Sequence, residues 1–392
     1  MKNKLFISIY CGLMILLASC NNYLDVKPKG KIIPETAEDF STIIHYWLDQ
    51  IEKGRDDVII PNPEVMTTLE MFADDLNATL ASNFGYTSIY VGSAINKNQA
   101  TYKTLYSVIK DCNMVIGNMD DTESDLARTL LGTAWSIRSI CYYNLMQRYC
   151  EPYHPETAKE TLGLPLVDDF DMEAKPARAN LKETAEFIEE GFRKALSYNV
   201  SNEDFIFTSS VTKAYFARFF FWTQNWSNAI TYAKEVLEKY PMLEADEYVE
   251  AINQKQAKAH NVIIRSFTMD DDIGTMSYAT AQADIKSRPV DRNLVDLFAA
   301  TDNDVRRRCN YDSKRIVNKI ITTKFRSEEL CLIIAEAHAH PNQETDALGY
   351  LNQLRSKRIT QNYIAYTIDN LPEDRKSTRL NSSHLAISYA VF

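Results

Sequence analysis

The segment AYFARFFFWTQNWSNAITYAKEVLEKYP, residues 214–241, sets the architecture of this chain of 392 residues. Apolar residues recur at spacings of three and four, first from Val211 to Thr223 and again from Trp226 to Lys239, which predicts two consecutive helices. Small residues at Ala217 and Ala229 let the two helices pack closely in opposite directions. The segment therefore predicts a helical hairpin.

A second segment, EELCLIIAEAHAHPNQETDALGYLNQLR at residues 328–355, repeats this arrangement. Ala335 and Ala347 stand at the same separation as the two alanines of the first segment, and Leu351 takes the position of Ala233. The first copy carries the residue types of a tetratricopeptide repeat at Ala217, Phe220, Trp226, Ala229, Ala233 and Pro241. The spacing favours stacked repeats of this kind. The alternative is any helical hairpin with alanines at its contact.

Helical periodicity extends over most of the chain and predicts an all-α fold. Further helices are predicted at Phe40 to Ile51, Glu64 to Phe72, Tyr102 to Met119, Lys182 to Leu196, Ser327 to His340 and Thr345 to Arg358. One more is predicted to be amphipathic, with Leu130, Ala134, Ile137, Cys141 and Leu145 on one face and Arg138 and Arg148 elsewhere. His260 to Ile264 is the best strand candidate, and loops are expected at 84–96, 151–179 and 269–288.

The N-terminus predicts export and lipidation. Lys2 and Lys4 precede an apolar stretch from Leu5 to Leu17, and Leu17-Ala18-Ser19-Cys20 has the form of a bacterial lipobox. We expect residues 1–19 to be removed and Cys20 to carry diacylglycerol, with acyl chains such as palmitate holding the protein on a membrane. The apolar stretch is short for a membrane-spanning helix. Because Asn21 follows the cysteine where aspartate would favour retention in the inner membrane, we expect a cell-surface position on the outer membrane.

Composition narrows the possible functions. The net charge of −10 argues against nucleic acid as a partner, because phosphates require a basic surface. Five cysteines follow the signal, an odd number without CxxC spacing, so neither a full disulfide framework nor a zinc site is indicated. Cys112, Cys141 and Cys331 lie in apolar helical patterns and are predicted to be core residues.

Several blocks, taken in order, resemble the SusD/RagB family of outer-membrane nutrient-binding lipoproteins of Bacteroidetes. The blocks are CNNYLDVKPKG (20–30), LYSVIKDCNMVIGNMD (105–120, with Asn113), LGTAWSIRSICYYNLMQRYCEPY (131–153, with Arg138), GLPL (163–166), the segment 212–237, LFAATDNDVRRR (297–308), and 325–339 with LNQLRSKR (351–358). Cys150 stands where the family usually has glycine. The order of the blocks carries the resemblance more than any single block does.

The resemblance implies an all-α fold of tetratricopeptide-like hairpins, with additional helices and long loops facing the ligand. It implies that the protein captures glycans as nutrients without chemistry or cofactors, and hands them to a SusC-like TonB-dependent transporter in the outer membrane. A tetratricopeptide scaffold that docks proteins at the outer membrane is the alternative function.

Candidate ligand-binding residues are exposed aromatics beside short polar groups, because sugar rings present both apolar faces and hydroxyls. In the segment 72–90 we expect Asp74, Asp75 and Asn77 to bond hydroxyls, and Tyr86 and Tyr90, beside a turn at Gly85, to stack on sugar rings. Tyr278 and Trp47 are further candidates, whereas Trp226 is expected in the core because it occupies a repeat position.

The sequence gives less support to an enzyme or to a metal-binding protein. Asp74-Asp75, Asp168-Asp169 and Asp270-Asp271-Asp272 could supply the carboxylate pair of an α-helical glycosidase, but adjacent acids in a loop point apart. His338 and His340 are two residues apart on a helix and cannot share a face, so a metal pair is not expected there. Calcium at Asp270 to Asp272 would lack the spaced ligands of a tight site.

The last residues depart from the family pattern. Asp374 to His384 resembles a translated sequencing adapter, so we expect residues 371–392 to be non-native and the domain, 20–370, to lack its C-terminal part. The alternative is an ordinary disordered tail.

Overall fold

The computed structural model describes residues 34–61, 99–120, 122–169, 175–252, 259–266, 283, 286, 289–299, 303–318 and 324–370. Helices predominate there: α1 Ala37–Glu52, α2 Gln99–Asn118, α3 Asp125–Tyr149, α4 Leu181–Ser197, α5 Ser209–Trp222, α6 Trp226–Lys239, α7 Ala245–Ile252, α8 Arg292–Ala299, α9 Val305–Asn310, α10 Ser327–Ala339 and α11 Glu344–Ser356. The strands are β1 Leu162–Pro165, β2 Arg178–Asn180, β3 Val262–Arg265 and β4 Lys324–Arg326, paired antiparallel as β1–β2 and β3–β4. The all-α prediction is confirmed.

Local sequence explains where the helices begin. Thr36 and Asp39 form a reciprocal capping box at α1, and Asn180 and Glu183 form another at α4. In each box a side-chain oxygen accepts from a backbone N–H of the first turn, which satisfies donors that have no partner within the helix. Ser124 caps α3 through the amide of Ala127.

The helix α3 is the centre of the fold. It packs against α2, α4, α1 and α5, and residues on all of its faces are buried between Ala127 and Met146. The contact with α4 is very close, because a Cβ atom added to Gly191 would lie 2.3 Å from Oγ of Ser139. The five residues predicted on the apolar face of α3 are all buried, as predicted, but the helix is not amphipathic, because Arg138, expected away from that face, is only 3% exposed. Neighbouring helices cover its polar side as well as its apolar side.

The two predicted hairpins are confirmed. Helices α5 and α6 pack together, α10 and α11 pack together, and α6 contacts α10, so that one hairpin stacks on the next. Ala217, Ala229 and Ala233 are 0% exposed at the first hairpin contact. Arg218 of α5 forms a two-pronged ion pair with Glu329 of α10, at 2.6 and 2.7 Å, and joins the hairpins. Stacking of this kind is what repeat spacing predicts.

Shorter elements correct some expectations. The segment 151–179, expected to be a loop, contains β1 and the start of β2. The strand predicted at 260–264 is confirmed as β3, shifted by one to two residues. Helices α7, α8 and α9 were not predicted, since each has at most eight residues and little room for a periodic pattern.

Some predictions fall on residues outside the described ranges. These are the signal and Cys20, the helix at 64–72, the loop at 84–96, most of the loop at 269–288 and the tail 371–392. Cys112, Cys141 and Cys331 are each 0% exposed, which confirms them as core residues. Within the described ranges, none of the helices has the length and apolar character needed to cross a membrane.

Candidate functional site

The predicted ligand-binding residues lie outside the described ranges. They are Asp74, Asp75, Asn77, Tyr86, Tyr90 and Tyr278. Five of them belong to the segment 62–98, which we call the candidate ligand segment. The described residues on its two sides, 56–60 (the departure point) and the first turns of α2 (the return point), are each in contact with α3.

The departure point is built around Asp56, which follows α1. Its carboxylate is 3% exposed and accepts backbone N–H bonds from Val58, Ile59 and Ile60 at 3.2, 3.2 and 2.5 Å. Burial raises the pKa of Asp56 to about 6, and the three N–H bonds partly offset that rise. This one side chain fixes the backbone immediately before the candidate ligand segment.

Asn144 of α3 holds the same turn from the other side. Its side-chain amide donates to the carbonyl oxygens of Val58 and Ile59 at 2.9 and 3.1 Å. The side chains of Val58, Ile59 and Ile60 are buried in the core. The departure point is therefore anchored to the C-terminal half of α3.

The return point lies at the same end of α3. Tyr102, in the first turn of α2, packs edge-to-face against Tyr149, the last residue of α3, with ring centroids 5.0 Å apart. Tyr106 follows one turn later and contacts Tyr102 and Tyr142. The described residues on both sides of the candidate ligand segment thus contact the C-terminal end of α3, where aromatic side chains cluster.

A buried polar network fixes the loop after β1 beside these helices. Arg138 donates to Oδ1 of Asn113 at 2.8 Å, and the Asn113 amide donates to the carbonyl oxygens of Val167 and Asp169 at 2.9 and 3.2 Å. The Arg138 guanidinium also lies 4.0 Å from the ring centroid of Trp135. Burial lowers the pKa of Arg138. These contacts bring together α2, α3 and the loop after β1, which are distant from one another in sequence.

Tyrosine hydroxyls complete this network. The amide of Val167 donates to the hydroxyl of Tyr142 at 2.8 Å, and the hydroxyl of Tyr106 donates to the carbonyl of Pro165 at 2.8 Å. Burial raises the pKa of both tyrosines, so they stay neutral and keep their protons for donation. The loop is held in one position, with Asp168 and Asp169 exposed to solvent beside α2 and α3.

The other residues considered from the sequence lie elsewhere in the fold. Trp47 is partly buried and donates to Asp111 at 3.1 Å, while Trp226 packs at the edge of the core and stacks on His340 with centroids 4.0 Å apart. His338 stacks instead on Tyr350, so the two histidines face different neighbours, as predicted. Among the described residues, no group of three acids, histidines or cysteines could hold a metal ion.

Sequence reasoning missed Asp56, Asn144, Tyr102 and Tyr149. Asp56 and Asp57 come directly before the apolar run Val58-Ile59-Ile60. Acids just before an apolar run that follows a helix are a signal for a buried turn. Tyr102 lies near the start of α2 and Tyr149 at the end of α3, and nothing local in the sequence shows that the two rings meet.

Comparison with known proteins places these observations in context. Residues 22–221 match the SusD-like family described as "Starch-binding associating with outer membrane". No functionally curated protein matches the chain.

Solved structures resemble this chain over most of its length. A SusD superfamily protein from Bacteroides fragilis has a TM-score of 0.70 and 16% identity, and the match covers 92% of this chain and 89% of that protein. A SusD-like carbohydrate-binding protein from Bacteroides vulgatus has a TM-score of 0.65 and 19% identity, covering 91% and 82%. A laminarin-binding SusD-like protein has a TM-score of 0.59 and 12% identity, covering 89% and 88%. At these identities the likeness shows a shared fold.

Proposed function

The chain belongs to the SusD-like family, and from this premise we propose that it binds glycans at the cell surface without cleaving them. We further propose that it is anchored to the outer membrane by lipid on Cys20 and delivers its ligand to a SusC-like TonB-dependent transporter. The family match over residues 22–221, with its description as starch-binding, is the observation that carries the proposal.

The geometry at the end of α3 supports a binding role. The helical core holds the loop 165–169 and the described residues on both sides of the segment 62–98, and such a core is suited to positioning loops that choose a ligand. Among the described residues at this end of α3, polar side chains form hydrogen bonds with backbone groups and so hold the neighbouring turn and loop in place. Binding requires this kind of preorganisation, because each side chain that must be ordered on binding reduces affinity.

We propose that Asp74, Asp75 and Asn77 bond sugar hydroxyls and that Tyr86, Tyr90 and Tyr278 supply stacking surfaces. Five of these residues lie in one segment of 37 positions, 62–98, whose flanking residues meet at one end of α3. Apolar ring faces and short polar groups are the two kinds of contact that a sugar needs.

Affinity electrophoresis in gels containing starch, laminarin and other soluble glycans tests the proposal. We expect the native chain to be retarded by at least one glycan, and the double variant Tyr86→Ala/Tyr90→Ala to lose most of that retardation. A native chain that migrates freely through every glycan, while it captures other proteins from the same membranes, would instead favour the protein-docking scaffold.

The anchor has its own test. Cys20→Ala removes the thiol that accepts the lipid, so we expect the variant to leave the membrane fraction and appear in the soluble fraction. Fractionation of cells that express the native chain or the variant, followed by detection of the protein, measures this. The substitution Cys11→Ala, within the signal, is the matched control and should remain with the membranes. Membrane retention of Cys20→Ala would exclude lipid at this cysteine as the anchor.

A further inference from the structure

A surface at the contact between α1 and α2 combines aromatic and charged side chains. We call it the Tyr46 surface, and it consists of Tyr46 and Trp47 of α1 together with Lys110 and Asp111 of α2. The sequence indicates Trp47 as a candidate ligand residue, and the side chains that Trp47 contacts define the rest of this surface.

Direct contacts between side chains connect the four residues. The ring of Tyr46 packs edge-on against the ring of Trp47, with centroids 5.0 Å apart and an interplanar angle of 80°. Nε1 of Trp47 donates to Oδ2 of Asp111 at 3.1 Å. Nζ of Lys110 lies 3.2 Å from Oδ1 of the same carboxylate. The four side chains therefore form one continuous surface across the two helices.

The ring of Tyr46 is open to solvent and is supported from one side. Tyr46 is 56% exposed, whereas Trp47 is partly buried against the hydrophobic core. Because the core and Asp111 fix Trp47, the ring of Trp47 limits the positions that the ring of Tyr46 can take. A ring that is already restricted loses little conformational entropy when a ligand stacks on it.

The charged pair beside Trp47 keeps hydrogen-bonding capacity for a ligand. A carboxylate accepts at about four lone-pair positions and an ammonium carries three N–H groups, and the contacts of Asp111 with Trp47 and Lys110 use only part of this capacity. The side chain of Asp111 is 22% exposed and that of Lys110 is 52% exposed. A hydroxyl can therefore donate to Asp111 and accept from Lys110.

The charge at this surface favours a neutral ligand. Lys110 and Asp111 form one ion pair, and Asp49 and Lys53 form another on α1. Asp49 follows Tyr46 by three residues, which places the two side chains on the same face of the helix. Because each acid is paired with a lysine, the surface attracts neither a polyanion nor a polycation, and its aromatic ring and hydroxyl-bonding groups fit a neutral sugar.

We propose that the Tyr46 surface is a glycan subsite, in which one sugar ring stacks on Tyr46 and the hydroxyls of the same oligosaccharide bond to Asp111 and Lys110. This inference rests on the proposed function, and it adds to that function a contact surface on α1 and α2.

Tryptophan fluorescence during titration with maltoheptaose and with laminarin oligosaccharides shows whether sugar reaches this surface. The chain has four tryptophans, and the segment 72–90 contains none of them. We expect sugar to change the fluorescence of the native chain and Trp47→Phe to lose most of that change. Trp226→Phe is the matched control and should keep the change, because Trp226 stacks on His340 at the hairpin contact.

Calorimetric titration with the same sugars measures the contribution of the exposed ring. We expect Tyr46→Ala to weaken binding about tenfold, and Tyr46→Phe, which keeps the ring, to bind within about twofold of the native chain. Ile364→Ala is the control for loss of an exposed apolar side chain, since Ile364 is 71% exposed, and it should bind like the native chain.

The outcomes separate the subsite from the proposed function. Native binding that Tyr46→Ala leaves unchanged, or that produces no fluorescence change at Trp47, overturns the subsite and leaves glycan binding intact. Equal losses in Tyr46→Phe and Tyr46→Ala overturn stacking on this ring. A native chain that binds none of the sugars overturns both proposals. Unchanged far-ultraviolet circular dichroism and melting temperature of Tyr46→Ala distinguish loss of the stacking surface from loss of the fold.

Discussion

Asp56→Ala is expected to lower the free energy of unfolding by about 3 kcal/mol at pH 7. The carboxylate of Asp56 accepts three backbone N–H bonds in a position that is 3% exposed. Alanine leaves those donors without partners in the core, and each unsatisfied buried donor is destabilising. The loss should be accompanied by weaker glycan binding, because the turn held by Asp56 leads directly into the segment 62–98.

Asp56→Asn separates hydrogen bonding from charge. The asparagine keeps an oxygen that accepts N–H bonds, so we expect a loss of about 1 kcal/mol or less at pH 7. Burial raises the pKa of Asp56 to about 6 in the folded chain, above the ordinary value of 3.8. The proton-linked part of its contribution to stability is therefore fully present below about pH 4 and is lost as the pH rises through 6, whereas the three N–H bonds to the carboxylate still stabilise the turn at pH 7. The asparagine variant should lack this dependence.

Chemical denaturation at pH 5, 6 and 7 measures these effects for the native chain and both variants. Asp57→Ala is the matched control, since Asp57 is adjacent but exposed, and its loss should stay within about 0.5 kcal/mol. An Asp56→Ala chain as stable as the native one would contradict the role assigned to this carboxylate.

Glu328→Ala is expected to be destabilising by about 3–5 kcal/mol. Glu328 accepts from NH2 of Arg358 at 2.5 Å and from the side-chain amide of Asn261 at 2.9 and 3.0 Å. The arginine side chain is 1% exposed and that of the glutamate 7%. Removing the carboxylate leaves a buried positive charge without its partner, which is the costly way to break such a pair. The change also removes the ion pair that links α10 to the turn after α11.

Thermal and urea denaturation of Glu328→Ala, Arg358→Met and Glu328→Ala/Arg358→Met measure the coupling between the two side chains. The double variant should lose less stability than the sum of the two single variants, because it leaves neither charge alone. Glu186→Ala provides the control, since the Lys182–Glu186 pair is exposed and should contribute under about 0.5 kcal/mol. Additive losses, or a loss at Glu328 no larger than at Glu186, would contradict the account of this pair.

Most helices could be predicted because their signals are local. The alanine spacing at residues 217, 229 and 233 reflects a direct contact between consecutive helices, and α6 was predicted with the observed limits, Trp226 to Lys239. Helix α3 was predicted to exist but not to be central. The sequence of α3 predicts an amphipathic helix because Arg138 is polar, whereas in the fold Arg138 donates to Asn113 of α2 inside the core.

The site could be predicted less well than the fold. Asp56 and Asn144 act together although they are separated by more than one helix in sequence, and the pair Tyr102–Tyr149 is a contact between the start of one helix and the end of another. A periodic pattern reports which face of a helix is buried, but not which distant residue it meets. For the same reason, the prediction of ligand-binding residues at 74–90 depends on their residue types and on the contacts of the residues that flank their segment.

Isothermal titration of the full chain with a soluble glycan, with the sugar analysed before and after, measures both binding and cleavage. We expect saturable binding to at least one member of a panel that includes maltoheptaose and laminarin oligosaccharides, with the sugar recovered intact. Absence of heat across the entire panel, or recovery of shortened sugar, would contradict a glycan-binding protein that performs no chemistry.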